Sequence, residues 1–234
     1  MNGNTIRALA RPVLAVGLAL VASQSLASTI TLTFGNEKNQ AQIENYFDGG
    51  TDSLGASGPN DGISFASNAE SLLAGYTGTG GTGTGKFENV PSNAPGVLYF
   101  AYSNLTPSSV MNVASGFNSL SLDYSLLNNS ASYDSTIQLW SGLNGSGTEL
   151  GTLTLNSAGQ AVACSNSHDE FCTWSSASAS NFGVAQSAVF TGNASVYTEY
   201  DSVQVAPVPL PGALGLMLSG LGGLAGLLRR RRSC

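Results

Sequence analysis

The chain has 234 residues, 42% of them hydrophobic but only 9% charged, and a formal net charge of −6. An acidic chain of this kind is not a nucleic-acid binder, which needs a basic surface against phosphate. The length between its two apolar ends, roughly 180 residues, fits one domain.

The chain opens like a secretory leader. Arg7 and Arg11 form a positive n-region, and Pro12 to Ala22 is a short apolar stretch. Ser25-Leu26-Ala27 is a small-residue cleavage site, so cleavage between Ala27 and Ser28 is expected, and residues 1–27 are read as a signal peptide. An N-terminal membrane anchor is the alternative, but the apolar run is too short for one and a cleavage site follows it. No cysteine stands at the cleavage point, which argues against a lipoprotein.

Residues 28–207 read as strands. Ile30, Leu32 and Phe34 alternate with Thr29, Thr31 and Thr33. Leu120, Leu122, Tyr124 and Leu126 alternate with Ser121, Asp123 and Ser125, and shorter alternations surround Gln138, Thr154 and Gln204. Val97 to Tyr102 is apolar on both faces and predicts a central strand. No stretch keeps the i, i+3, i+4, i+7 spacing of a helix for three turns. Short half-polar strands with turns such as Asn144-Gly145 predict an all-β fold, a single antiparallel β-sandwich of jelly-roll type. Gly75 to Gly85 predicts a solvated loop. Gly80, Gly85 and Lys86 match most of a phosphate-binding loop, but Phe87 stands where a magnesium-binding hydroxyl is required, so the match is coincidental.

Several residue groups are candidates for chemistry. Asp48, Asp52, Asn60 and Asp61 lie among glycines and offer oxygens to calcium, or simply turn chemistry, since Asp and Asn bond their own backbone. Tyr46, Phe47, Tyr76, Tyr99, Tyr102, Trp140 and Trp174 are available for stacking on sugar rings or for the core. Cys164 and Cys172 predict a disulfide that would stabilise by about 2.6 kcal/mol through loop closure. With His168 and Asp169 or Glu170 they offer the alternative of a zinc site. His168 is the only histidine, so a Ser-His-Asp hydrolase would have to use it. Carboxylate pairs for a glycosidase are plentiful, but the acids sit singly in turns. Asn-X-Ser/Thr sites at Asn104, Asn128, Asn144 and Asn193 mark polar loops.

The last stretch is an ordered series: Val208-Pro209-Leu210-Pro211-Gly212, an apolar run from Ala213 to Leu228, then Arg229, Arg230, Arg231 and Arg232. The prolines set a helix start and the arginines stay cytoplasmic. Val208 to Leu228 is 21 residues, about 31 Å as a helix, which spans a bilayer core of about 30 Å. Gly222 and Gly226 form a G-x-x-x-G that could pair two helices. Residues 208–232 resemble the PEP-CTERM sorting tail, with Leu210 where the family's name has Glu. The resemblance implies a transmembrane helix at 213–228 and a secreted bacterial protein delivered to a membrane enzyme, an exosortase, that cleaves near the proline motif. Cys234, beyond the arginines, is then a cytoplasmic thiol lost with the tail.

With the leader removed and the arginines inside, only Lys38 and Lys86 face all 14 acids, and residues 28–207 carry −12 outside the inner membrane. Anionic polysaccharide is repelled unless divalent cations bridge it. The ending Tyr200-Asp201-Ser202-Val203-Gln204-Val205 is similar to the last strand of secreted carbohydrate-binding jelly rolls, where Asn takes the place of Ser202. Two readings follow. The first is a non-enzymatic surface or extracellular-matrix protein associated with exopolysaccharide, needing no cofactor. The second is a carbohydrate-binding module, with or without calcium, which an exposed row of aromatics would favour. A secreted hydrolase is the minor alternative.

Overall fold

The computed structural model describes residues 28–75, 83–100, 108–127, 135–156, 164–165, 167–191 and 198–208. Ten strands follow in chain order. They are β1 Ile30–Leu32, β2 Ala41–Gln42, β3 Ile63–Phe65, β4 Ala69–Leu73, β5 Gly96–Phe100, β6 Ser108–Leu126, β7 Ser135–Trp140, β8 Glu149–Leu155, β9 Trp174–Thr191 and β10 Thr198–Pro207. Every strand pairing is antiparallel. Among the described residues, helix is confined to little more than the 3-10 turn Leu143–Gly145. The all-β expectation is met, and the period-2 pattern explains it. Leu120, Leu122 and Tyr124 are buried, as are Ile137 and Leu139, while their neighbours face outward. Strand β5, apolar on both faces, lies between β4 and β10. Asn144 and Gly145 both take positive φ in the β7–β8 connection, as the Asn-Gly pair requires.

Hydrogen bonds join the strands in one path, β2-β4-β5-β10-β6-β9-β7-β8, with β1 on β10 and β3 on β6. This continuous path differs from the two separate sheets of a jelly roll. It encloses a core because its longest ladder folds back. Tyr200 on β10 pairs with Tyr124 on β6, and Tyr124 with Ser175 on β9. Phe190 stands fifteen residues further along β9. On a straight strand that is about 50 Å away. Yet the rings of Tyr200 and Phe190 are 5.2 Å apart, and those of Phe100 and Phe190 5.0 Å. The second half of β9 must therefore lie over β5 and β10, sandwiching these rings.

The fold-back occurs where the β6–β9 ladder is interrupted. From Asn112 to Phe117 five residues of β6 pass two of β9, and from Phe117 to Ser119 the excess passes to β9. Gly116 and Gly183 sit there at φ 76° and 94°, beside Asn181 at 61°. These are bulge residues that turn a strand through a corner. One layer is thus β2, β4, β5, β1, β10 and the adjoining halves of β6 and β9. The other is β3, the remaining halves of β6 and β9, β7 and β8. A smaller bulge interrupts β10 between Asp201 and Gln204, with Ser202 at φ 49°. Asn tolerates this left-handed conformation better than Ser, which gives a physical reason for Asn at this place in similar strands. Asp201, fully buried, accepts hydrogen bonds from Ser92 N and Oγ, both at 2.8 Å, and so pins the 91–95 turn to the sheet.

Among the described residues no helix is long and apolar enough to cross a membrane. The expected leader (1–27) and tail helix (213–228) lie outside those residues, as do Pro209 to Gly212 and Arg229 to Arg232. Val208 lies inside them, its N–H donating to Gly116 O at 2.9 Å.

A Cβ at Gly116 would meet Val184 Cγ1 at 2.6 Å, on a backbone that disfavours side chains. Gly116→Ala is expected to cost about 1–3 kcal/mol. Ser202→Asn should stay within about 0.5 kcal/mol of wild type, whereas Ser202→Val should cost about 1–3. Urea unfolding midpoints measure all three.

A candidate site on the outer sheet face

Strand alternation sends Leu98, Phe100 and Tyr200 into the core, so Tyr99 and Glu199 must point to the other face. Register then aligns a transverse row: Glu70 opposite Tyr99, Tyr99 opposite Glu199, Glu199 opposite Ser125, and Ser125 opposite Trp174. Segments 83–90 and 164–172 pass over part of this face. They meet in a backbone bridge between Phe87 and Phe171, and these two rings with Val97 form a second apolar cluster. Lys86 pairs with Glu170 at 3.1 Å, and Trp174 Nε1 donates to Glu88 O at 2.9 Å. Glu88 also accepts from Ser165 Oγ at 2.8 Å. Beneath this cover lies a cleft of about 250 Å³ lined in part by Glu70, Tyr99, Lys86, Glu170, Phe171 and Glu199.

The cleft is acidic and partly dry. Glu199 is 1% exposed, and its Oε2 has no hydrogen-bond partner. Burial pushes its carboxyl well above the usual range, and the negative charges of Asp169 and Glu170 add to the effect. Burial also raises Glu70. Asp169 is raised by burial first and by Glu88 second, with His168 opposing. Ser125 Oγ, beside Glu199 in the row, is likewise buried and unpartnered. Elsewhere Glu37 is raised by burial although its Oε2 accepts from Gly35 N at 2.7 Å.

Cys164 and Cys172 form the expected disulfide, with Cα atoms 5.4 Å apart. Among the described residues the one trio of close metal-ligand atoms is Glu88, Cys164 and Cys172. The bridge occupies both sulfurs, which removes the thiolates a zinc site needs. His168 is exposed on this loop. It borders a neighbouring cleft of about 470 Å³ together with Lys86 and Glu170. Lys86, the lysine of the coincidental phosphate-loop match, is the residue held by Glu170, and Gly80 lies outside the described residues.

The four calcium candidates do not converge. Asp52 is 2% exposed and its carboxylate accepts from the backbone N–H of Lys38, Leu54 and Ala56 at 2.8–2.9 Å. Asp48 and Asn60 meet through a backbone bridge, and Asp61 N donates to Phe47 O. Turn chemistry accounts for the Asp52 carboxylate, and Asp48, Asp52 and Asp61 do not bring three carboxylate oxygens within 4.8 Å of one another. Of the aromatics, Tyr46 and Phe47 are core residues, and Tyr99, Trp140 and Trp174 are half-buried. Tyr76 and Tyr102 lie outside the described residues, as do Asn104, Asn128 and Asn193. Among the described residues no exposed aromatic row runs across either face. Sequence reasoning missed Glu70 and Glu199, whose positions beside apolar residues read as ordinary solvent-facing alternation.

No family model and no curated protein matches the chain. Among solved structures it is similar to the K2 cleaved adhesin domain of Lys-gingipain, at 12% identity and TM-score 0.43, covering 76% of this chain and 99% of that one. The K1 domain from Porphyromonas gingivalis W83 is 14% identical with TM-score 0.37, over 77% and 99% of the two chains. The K3 domain from the same organism is 13% identical with TM-score 0.32, over 60% and 91%. Scores below 0.5 fall short of a shared fold, and the role of those domains does not transfer.

A carboxyl raised on folding binds its proton more tightly in the native state than in the unfolded chain. Between the unfolded value near 4.5 and the higher folded value the native state holds more protons, so stability falls as pH rises. Glu37, Glu70 and Asp169 act in the same direction. The melting temperature is expected to rise as pH is lowered from 7 towards 5, and Glu199→Gln should flatten that slope. Calorimetric scans across this interval test both.

Proposed function

We propose that this chain is a non-enzymatic exported protein of the cell surface or extracellular matrix, sorted by an exosortase-type system and associated with exopolysaccharide. The observation that carries the reading is the Cys164–Cys172 disulfide, a bond that persists outside the reducing cytoplasm. It lies in an all-β domain whose sequence is flanked by a stretch patterned like a secretory leader and one that resembles a sorting tail. The surface chemistry supports the same reading. With two lysines against 14 acids, the exported part stays soluble and self-repelling. Burial of Tyr46 and Phe47 and engagement of Asp52 in its own turn favour this structural role over a calcium-dependent carbohydrate-binding module. A hydrolase is not favoured, because His168, the only histidine of the chain, stands on an exposed loop.

The test is mass spectrometry of the membrane and extracellular fractions. The expected mature protein begins at Ser28, carries a bonded Cys164–Cys172 pair, and has lost the residues after the proline motif. An exported protein that retains Met1 or Arg7 would refute the leader. Replacing Arg229 to Arg232 with Ser should leave the protein mis-sorted, through loss of the positive-inside anchor. Unchanged surface delivery of that variant would refute the tail.

A further inference from the structure

The Glu70–Tyr99–Glu199 row places an acid on each side of an aromatic ring, across three adjacent strands. Strand spacing puts the two glutamate Cα atoms about 9–10 Å apart, with the Tyr99 ring between them. Glu199 is 1% exposed, lines the cleft, and has an unpartnered Oε2. A buried carboxyl oxygen without a partner is costly, and a structure keeps one where something else supplies the donor. We propose that this cleft binds a primary alkylammonium group, carried by a small free amine or by a lysine side chain of another protein.

Charge, geometry and volume all select this ligand. Glu70, Glu170 and Glu199 line the cleft against one cation, Lys86, which is already paired with Glu170. A neutral ligand would leave Glu70 without a counter-charge and would give the protonated Glu199 nothing to ionise against. A chelated metal needs several oxygens converging on one point, and these carboxylates do not bring three within 4.8 Å. An ammonium instead carries three donors that radiate outward, so it meets separated acids well. Leu72 and Phe171 offer apolar walls for an alkyl stem. The cleft, at about 250 Å³, is smaller than the ~300–1,000 Å³ of sites for drug-sized molecules and suits a single short chain.

Binding must also release a proton. Glu199 faces Glu70 from β4, Tyr99 from β5, Lys86 from the 83–90 segment, and Asp169 and Glu170 from the 164–172 segment. Its carboxyl holds its proton against this negative surrounding, and an ammonium at Oε2 reverses the balance. Affinity for the amine is therefore expected to rise with pH through the range in which Glu199 titrates.

The test uses the mature protein and n-butylammonium chloride, followed by calorimetry in buffers of different ionisation enthalpy and by NMR. Saturable binding with proton release is expected, with no binding of n-butanol or methyl glucoside. Glu199→Gln and Glu70→Gln should each weaken binding by about tenfold or more. Glu199→Gln swaps a protonated carboxyl for an amide of the same shape and is expected to fold. Should it not fold, Glu70→Gln alone carries the test. Equal binding of butanol or methyl glucoside overturns the proposal, as does unchanged affinity in the folded variants. Comparison with Nα-acetyl-lysine N-methylamide, whose ε-ammonium is free, separates the sources. Tighter binding of the lysine derivative identifies a protein lysine, and equal or weaker binding identifies a free amine.

Discussion

The architecture depends on one corner. The β6–β9 ladder is the longest in the molecule, and straight it would expose one apolar face along its whole length. Bent at Gly116 and Gly183, it lays its second half over its first and over β5 and β10. The Phe100, Phe190 and Tyr200 rings then meet from opposite layers. Among the described residues no strand covers the far face of β4, β5 and β10, and loops roof it instead. The disulfide-closed 164–172 segment and the 83–90 segment do so, and the cleft is the gap they leave.

That roof changes the electrostatics of whatever lies beneath it. Glu199 would be an unremarkable surface acid if the sheet face were bare. Under Phe171 and the 164–172 segment it loses water, and Asp169 and Glu170 arrive with further negative charge. The domain's overall acidity makes this a local extreme of a general condition. Charges that keep the surface soluble become costly where the fold covers them.

The alternation of apolar residues made the strands legible, and the doubly apolar Val97 to Tyr102 correctly marked β5 as interior. The Cys164–Cys172 bridge followed from spacing and compartment. What alternation did not reveal was the corner. Gly116 lies inside the strand that runs from Ser108 to Leu126, and the register shifts together with the positive φ at Gly116 and Gly183 show where the ladder breaks. The same applies to Ser202, whose left-handed backbone is invisible in its identity. For Asp52 the glycine-rich setting left an ion and turn chemistry both open, and the backbone N–H groups of Lys38, Leu54 and Ala56 take up its oxygens. Glu70 and Glu199 are 129 positions apart in the chain, and pairing of each with Tyr99 depends on non-local register that no single segment encodes.

The position of β10 has a consequence for when the domain acquires its shape. It is the last of the ten strands to be synthesised, yet it lies inside the sheet, paired with β6 along one edge and with β5 and β1 along the other. Until Thr198–Pro207 arrives, β1 has no strand beside it and β5 is separated from β6 by a missing neighbour. Closure of such a sheet waits on contacts between distant ends of the chain, which are slow to form. A polypeptide that emerges N-terminus first therefore stays open and threadable almost to its end, and locks when the last strand slides into place.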